Sequence, residues 1–528
     1  MTSGDDTFSY DDIPYVRKAF AQTHPARIGA IATLFGMDPA PIDACRVLEI
    51  GCASGDNLLP MAVAHPGSHF VGVDLSERQI EIGLEGGSKL PIDNLELVHA
   101  DLMSLGQEIG AFDYILCHGV YSWVPPLVQQ RILDLCRTRL TPNGVAFVSY
   151  NTLPGWYMRG LVRGAMRFHG ERFDDPRQRT AEARRFIEFL EKAIPEKDSA
   201  YARNLRDQID FLGDQAEAYV FHEFLEDVNE PIEFREFVRR ARESGLGYIG
   251  EAILARGWVG HLPDPVREAL EVVTRDPIEL QQYSDYLFNR GFRQSLLCRG
   301  DVELTTEPQA SRFDRLWIDS GLEPEAAEQD WSGDDVVVFR ATGSERFLST
   351  GDPVTKAALV SLRAAWPGSM RFPELFFAAC ERLGVSPGED RDRVVEVAEH
   401  LAGVLLRGHL SELVGLRNGP IHLGDGSAEK PQGCAFARLQ AETRERVTNR
   451  RHAPVELSEA SRWILVRLDG TRDRASLLAE MVAAVDTGEL VLPKAEAGTQ
   501  ATASVSERLA GTLDAALARL SRTALLAP

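Results

Sequence analysis

The sequence predicts an α/β protein: a doubly wound sheet first, then a helical region, then winged-helix-like C-terminal units. Three observations carry that reading. Residues 46–150 alternate short β-branched runs with helical patterns (RVLEIG, HFVGVDLS, LELVHADL, FDYILCHG, GVAFVSYN), which is how a parallel sheet of the Rossmann-like type reads. From about 160 to 300 strand patterns fade and charged amphipathic stretches take over, so this region is expected to be helical. Beyond 340, three helical patterns and a pair of β-like runs suggest a winged helix. With 528 residues, 44% of them apolar and 26% charged, the chain can build three or four cores, and it is neither disordered nor collagenous nor disulfide-stapled.

The elements follow in order. Residues 1–159 are expected to hold the sheet with an N-terminal lid, and 160–330 a helical domain facing the site. A winged-helix-like domain should span 340–435 and a small helical domain 436–528. In TAEARRFIEFLEKAI, Phe186, Ile187, Leu190 and Ile194 share one helical face. The acidic PEAAEQDWSGDD reads as a linker. DPVTKAALVSL then opens with Asp352 as N-cap and Pro353 at the first helical position, and RFPELFFAACERL repeats the logic with Pro373. DRVVEVAEHLAGVLL leads through Gly408 into HLSELVGLRNGPIHLG, two β-like runs around Asn418-Gly419. The Gly/Ala/Thr-rich KAEAGTQATASVS reads as a flexible loop, and Leu509, Leu513, Leu517 and Leu520 recur as a packed helix face.

Charge and cysteine usage narrow the function classes. The net charge of −22 repels phosphate backbones, and the one basic cluster (Arg444, Arg446, Arg450, Arg451) is interrupted by Glu445, so nucleic acid is not an expected partner. No run approaches 18 apolar residues, and the acidic start Met1–Phe8 lacks the features of a signal peptide; no membrane insertion and a cytoplasmic location are expected. The seven cysteines are scattered and never spaced Cys-x-x-Cys, which suggests reduced thiols and no zinc site. His222-Glu223 resembles the start of a zinc-protease motif, but Glu226 stands where the second histidine would be, so no metal is expected. The acids of HEFLEDVNEP (Glu223, Glu226, Asp227, Glu230) read either as a rim that attracts a basic substrate segment or as a solvated helix end.

The chemistry concentrates in VLEIGCASGDNL. A strand ends near Glu49, Gly51 makes a turn and Gly55 precedes a helix, so a ligand can approach bare backbone. Ala53 and Asp56 replace the second and third glycines of a pyrophosphate fingerprint, which disfavours nicotinamide cofactors. Glu49 instead suits a cationic cofactor such as S-adenosylmethionine. Asp74 ends the next strand, nineteen residues after Gly55, where a carboxylate meets ribose hydroxyls. Asp101 and the Leu102 amide, after the third strand, could meet an adenine edge, and His118 ends the fourth. The expected cofactor set is Glu49, Gly51, Cys52, Gly55, Asp74, Leu75, Asp101, Leu102 and His118. The acceptor is expected at the fourth and fifth strand loops, with Tyr121 and Asn151 preferred as lining residues, His118 as a proton acceptor, and Trp123 and Trp156 either in the pocket or packing a seam. Tyr150 is expected in the core.

This pattern resembles class I S-adenosylmethionine-dependent methyltransferases. The stretches YDDIPYVRKAFAQTHP, CHGVYSWVP, SYNTLPGW, HEFLEDVNEP and NRGFRQSLLCR are similar to one family: bacterial methyltransferases with a methyltransferase regulatory domain, whose characterised members methylate lysines of outer-membrane proteins. The resemblance implies a cofactor-binding sheet and an N-terminal segment carrying Tyr10, Tyr15, Thr23, His24 and Pro25, read either as a lid over the cofactor or as a plain docking helix. It also implies a regulatory domain over 160–330 and methyl transfer to an amine, foremost a lysine side chain of a protein or peptide. Two alternatives stay open: a small-molecule or peptide natural product as acceptor, and a regulatory protein that binds the cofactor without turnover. A homodimer is compatible with the sequence. Ala53 departs from the glycine common at this turn and bears on cofactor affinity.

Overall fold

The computed structural model describes Ile13 and residues 17–326, 330–384, 391–491 and 505–528. Tyr10, Tyr15 and nearly all of the expected loop 494–506 lie outside them. One seven-stranded sheet organises the chain: β1 (Arg46–Ile50), β2 (His69–Asp74), β3 (Leu95–His99), β4 (Phe112–Cys117), β5 (Leu140–Asn151), β6 (Leu246–Glu251) and β7 (Phe292–Arg299). Their order is β3-β2-β1-β4-β5-β7-β6. The first five strands are parallel; β7 runs antiparallel to both β5 and β6. The central strands are covered on both faces, which is why β1 and β4 read as near-continuous apolar runs.

The stretch from 160 to 300, expected to be helical, is not purely so: β6 and β7 close the sheet within it. Their signal was weak for a physical reason. β6 (LGYIGE) is interrupted by two glycines, and β7 (FRQSLLCR) carries a polar centre that is buried through pairing. Arg293 lies 2.8 Å from Asp285 and 3.0 Å from Glu251, and all three side chains are at most 3% exposed. The helices Gly155–Gly170, Pro176–Ala193, Ala200–Gly213 and Glu217–Phe224 are thus an insert between β5 and β6. The insert has its own core, formed by Val162, Met166, Ile187, Leu205 and Phe224 among others, and Ile13 packs into it.

C-terminal to the sheet, strand Trp317–Asp319 pairs with both Met370–Arg371 and Gly415–Arg417, beside helices Pro353–Ala365, Phe372–Arg382 and Arg391–Leu410. Asp352 caps the first of these, accepting from the Thr355 N–H at 2.7 Å. The β-hairpin expected around Asn418-Gly419 does not form. Pro420 cannot donate to a ladder, and Asn418 is drawn elsewhere: its N–H donates to Ala26 O, and its side-chain amide to Ala40 O and the Tyr114 hydroxyl. These bonds join this unit to the buried helix Pro25–Leu34 and to one face of the sheet, which share a single apolar core.

The last unit comprises helix Ala435–Ala441, a hairpin of Arg446–Thr448 with Pro454–Glu456, and helices Glu459–Arg467, Arg474–Asp486 and Val505–Arg522. Leu509, Leu513, Leu517 and Leu520 are buried in its core, which extends onto Leu59 and Leu90 of the sheet domain. Among the described residues no helix is long and apolar enough to cross a membrane.

Candidate active site

The strand order reverses between β1 and β4, so the loops at their carboxyl ends diverge and leave a crevice. Gly51 opens the β1 turn at φ +70°, and a Cβ there would stand 2.4 Å from Val120 Cγ2; the position needs glycine for both reasons. Gly55 follows at φ +69°. Ala53 is also left-handed, at φ +47°. Its N–H donates to Asp74 Oδ2 at 2.7 Å, and that bond holds the turn in a conformation that a Cβ disfavours. Asp74, at the end of β2, also accepts from the Ser76 N–H at 2.9 Å.

Leu75 is 50% and Met103 40% exposed, and Leu102 is half-buried, which sets apolar surface beside the acids of β2 and β3. Asp101 caps the turn after β3, its Oδ1 accepting from the Met103 N–H at 2.9 Å. Cys52 is buried, and burial pushes its thiol well above the usual range, so it packs rather than reacts.

Glu49 is the most perturbed acid of the crevice. It is 4% exposed, Oε1 accepts from Asn57 Nδ2 at 2.7 Å, and Oε2 is buried without a hydrogen-bond partner among the described residues. Burial raises its pKa from an ordinary 4.5 to about 8; the Asn57 bond opposes that rise and the Asp74 charge adds to it. A buried carboxylate with an idle oxygen beside a bare-backbone turn fits a cationic ligand that restores the ionised form. The residues present therefore fit S-adenosylmethionine.

His118 packs its ring 4.2 Å from that of Phe20, and its Nδ1 lies 2.8 Å from Ser149 Oγ, which also accepts from the Gly119 N–H. Burial, helped by Lys18, lowers its pKa to about 4. The imidazole is neutral at physiological pH and too weak a base to hold the proton of an amine. The segment 17–24 crosses this edge: Arg17 pairs with Asp56 at 2.7 Å, and the Phe20 N–H donates to Asn57 Oδ1 at 2.9 Å.

Asn151, expected to line the acceptor pocket, ends β5 at 3% exposure; its side-chain amide donates to Asn229 Oδ1 at 3.0 Å, and Asn229 rather than Asn151 lines the groove described next. Trp123 meets Trp156 edge-on at 6.1 Å. A groove of about 340 Å³ opens to solvent alongside, lined by Trp156, Arg163, Arg167, Phe168, Asn229 and Pro231. Tyr121, expected to line it, is instead 1% exposed and packs edge-on against Tyr150 and Phe237 in the core under the other sheet face. Tyr121 begins a short 3-10 turn, Tyr121–Trp123, which sends its ring inward.

The acids of HEFLEDVNEP do not form an open acidic rim. Glu226 lies 2.9 Å from His222 Nδ1, Asp227 pairs with Arg167 at 2.8 Å, and the Glu226 carbonyl accepts from Arg163. Burial raises Glu223 to about 7. Sequence reasoning also missed Asn57, Ser149 and Phe20; Asn57 alone carried a local signal, as a polar residue inside the glycine turn.

Three family models match the chain: a methyltransferase domain over 47–144, a predicted methyltransferase regulatory domain over 216–299, and the PKMT C-terminal winged helix domain over 429–525. The winged-helix match falls on the segment expected as a small helical unit. An uncharacterized protein of Rickettsia prowazekii, RP789, is 31% identical over 491 residues, covering 92% of this chain and 87% of its own. The structure of PKMT2 from Rickettsia typhi superposes with TM-score 0.84 at 29% identity, covering 97% of this chain and all of that one, and the same protein in complex with AdoHcy gives 0.83. The chain is an S-adenosylmethionine-dependent methyltransferase, and it belongs to the family that couples a methyltransferase domain to a regulatory domain and a PKMT-type C-terminal winged helix.

Proposed function

We propose that the acceptor is an amine, foremost a lysine side chain of a protein or peptide, presented along the groove beside Asn151. The observation that carries this reading is the groove itself: it is open to solvent and lined by Asn229, the hydrogen-bond partner of Asn151, so it suits an extended chain rather than an enclosed small molecule. Glu49 would hold the cofactor ammonium and Asp74 the ribose hydroxyls. Gly51, Cys52 and Gly55 would shape the turn against it, while Leu75, Asp101 and Leu102 flank the adenine and His118 closes the edge. Once bound, the cofactor supplies an electrophilic methyl on sulfur.

The chain's own residues then align a neutral amine and keep water out. Asn151 gives its N–H to Asn229, which leaves its carbonyl oxygen to accept from the amine. Trp123 supplies an aromatic wall that favours the acceptor cation as it enters. His118 does not take the proton, because its pKa is far below that of an amine; the proton leaves to water through the open groove. Incubation with methyl-labelled cofactor and fractionated cell extract tests the reading. Label in the protein fraction supports it, whereas label confined to small molecules assigns the natural-product alternative.

A further inference from the structure

The basic cluster of the last unit is an inter-domain peg, and its tip reaches the cofactor turn. The hairpin between Arg446–Thr448 and Pro454–Glu456 closes through residues 449–453, with His452 left-handed at φ +61°. Arg451 pairs with Asp319 at 2.5 Å and stands over the Trp366 ring at 4.1 Å, while Arg450 bonds the His422 carbonyl. His452 is 2% exposed and places Nε2 2.8 Å from Asn57 Oδ1, across 395 residues of chain. Arg444, on the same unit, lies 3.5 Å from Asp56 Oδ1.

Asn57 is saturated. Its Nδ2 donates to Glu49 Oε1 and to Thr23 Oγ1 at 3.0 Å, and its Oδ1 accepts from the Phe20 N–H and from His452. The amide can turn over only by exchanging donor and acceptor ends. With Nε2–H aimed at Oδ1, His452 joins the Phe20 N–H in fixing the orientation that points Nδ2 at the Glu49 carboxylate; the opposite orientation would set a carbonyl oxygen against it. Burial, followed by the charges of Arg417, His65 and Arg27, keeps the His452 imidazole neutral, so this donor persists across the physiological range.

We propose that the C-terminal winged-helix unit completes the cofactor site, with His452 acting as a positioning residue that orients Glu49 through Asn57. The cofactor turn is therefore built from both ends of the chain, and displacement of the C-terminal unit would loosen cofactor binding without touching the acceptor groove.

Calorimetry with S-adenosylhomocysteine and steady-state kinetics on the full-length protein test this. His452→Ala should weaken binding about tenfold, as expected for one lost orienting hydrogen bond, and raise KM for the cofactor while kcat changes little. His452→Gln, which can return an N–H to Asn57, should recover most of the loss. Arg474→Ala removes an exposed ion pair with Asp514 inside the same unit, away from the hairpin tip, and should leave cofactor KM unchanged. Wild-type affinity in His452→Ala would overturn the proposal, as would equal losses in Arg474→Ala or failure of the glutamine variant to recover. Glu49→Gln, measured alongside, must itself weaken binding; unchanged affinity there also overturns the proposal.

Discussion

Ala53 and Glu49 show how much of this site is decided by single residues. Ala53 occupies a left-handed turn position that a Cβ disfavours. Ala53→Gly should raise stability by about 0.5 to 1 kcal/mol, the relieved strain being partly offset by glycine's extra freedom in the unfolded chain; chemical denaturation measures it. Glu49 makes a sharper prediction. With a folded pKa of about 8 against an ordinary 4.5, it retains a proton that the unfolded chain sheds, so its contribution to stability is lost as pH rises from about 4.5 through 8. A cationic cofactor reverses the preference, and binding at pH 7 should expel most of one proton. Titration in two buffers of different ionisation enthalpy reads that number, and Glu49→Gln should abolish it.

These two residues were legible in the sequence because their signals are local: an acid and glycines at a strand end, then an acid nineteen residues on. Asn57 and His452 were not, because each derives its role from a partner far along the chain. Tyr121 was misread for another reason, since strand parity stops at Cys117 and the following 3-10 turn sets the ring's direction.

At the scale of elements, the proposed acceptor groove runs along helix Gly155–Gly170, which follows β5. Asn151→Ala should lower kcat about tenfold with little change in cofactor KM, because it removes a contact made beside the acceptor. Tyr121→Phe should leave turnover near wild type, its ring being held in the core by Tyr150 and Phe237. The same turnover assays on both variants check the contrast. Strands β1–β5 were readable from alternating apolar runs, whereas β6 and β7 were hidden by glycines and by a buried Arg293–Asp285–Glu251 network that looks like surface in a linear sequence.

Across the whole molecule, both ends of the chain meet the β1 turn: Arg17 and Phe20 bond to Asp56 and Asn57, and His452 of the C-terminal hairpin bonds to Asn57. Neither His118, at about 4, nor Glu49, proposed to hold the cofactor ammonium, is matched to take an amine proton near neutrality. The rate should therefore follow the acceptor's own ionisation, rising with pH toward the amine's pKa, about 10.4 for free lysine and lower once it is desolvated. A pH–rate profile under conditions where chemistry limits turnover checks this; a flat profile between about 6 and 9 would mean an acceptor that needs no deprotonation.

The identity of the methylated atom tests the account most directly. Protein labelled by the enzyme from methyl-labelled cofactor should be treated with mild base, then hydrolysed to amino acids and separated by mass. Transfer to an amine predicts label that survives base and is recovered as Nε-methylated lysine. Label released by base, as from a carboxyl ester, or recovered on any other side chain, would contradict it.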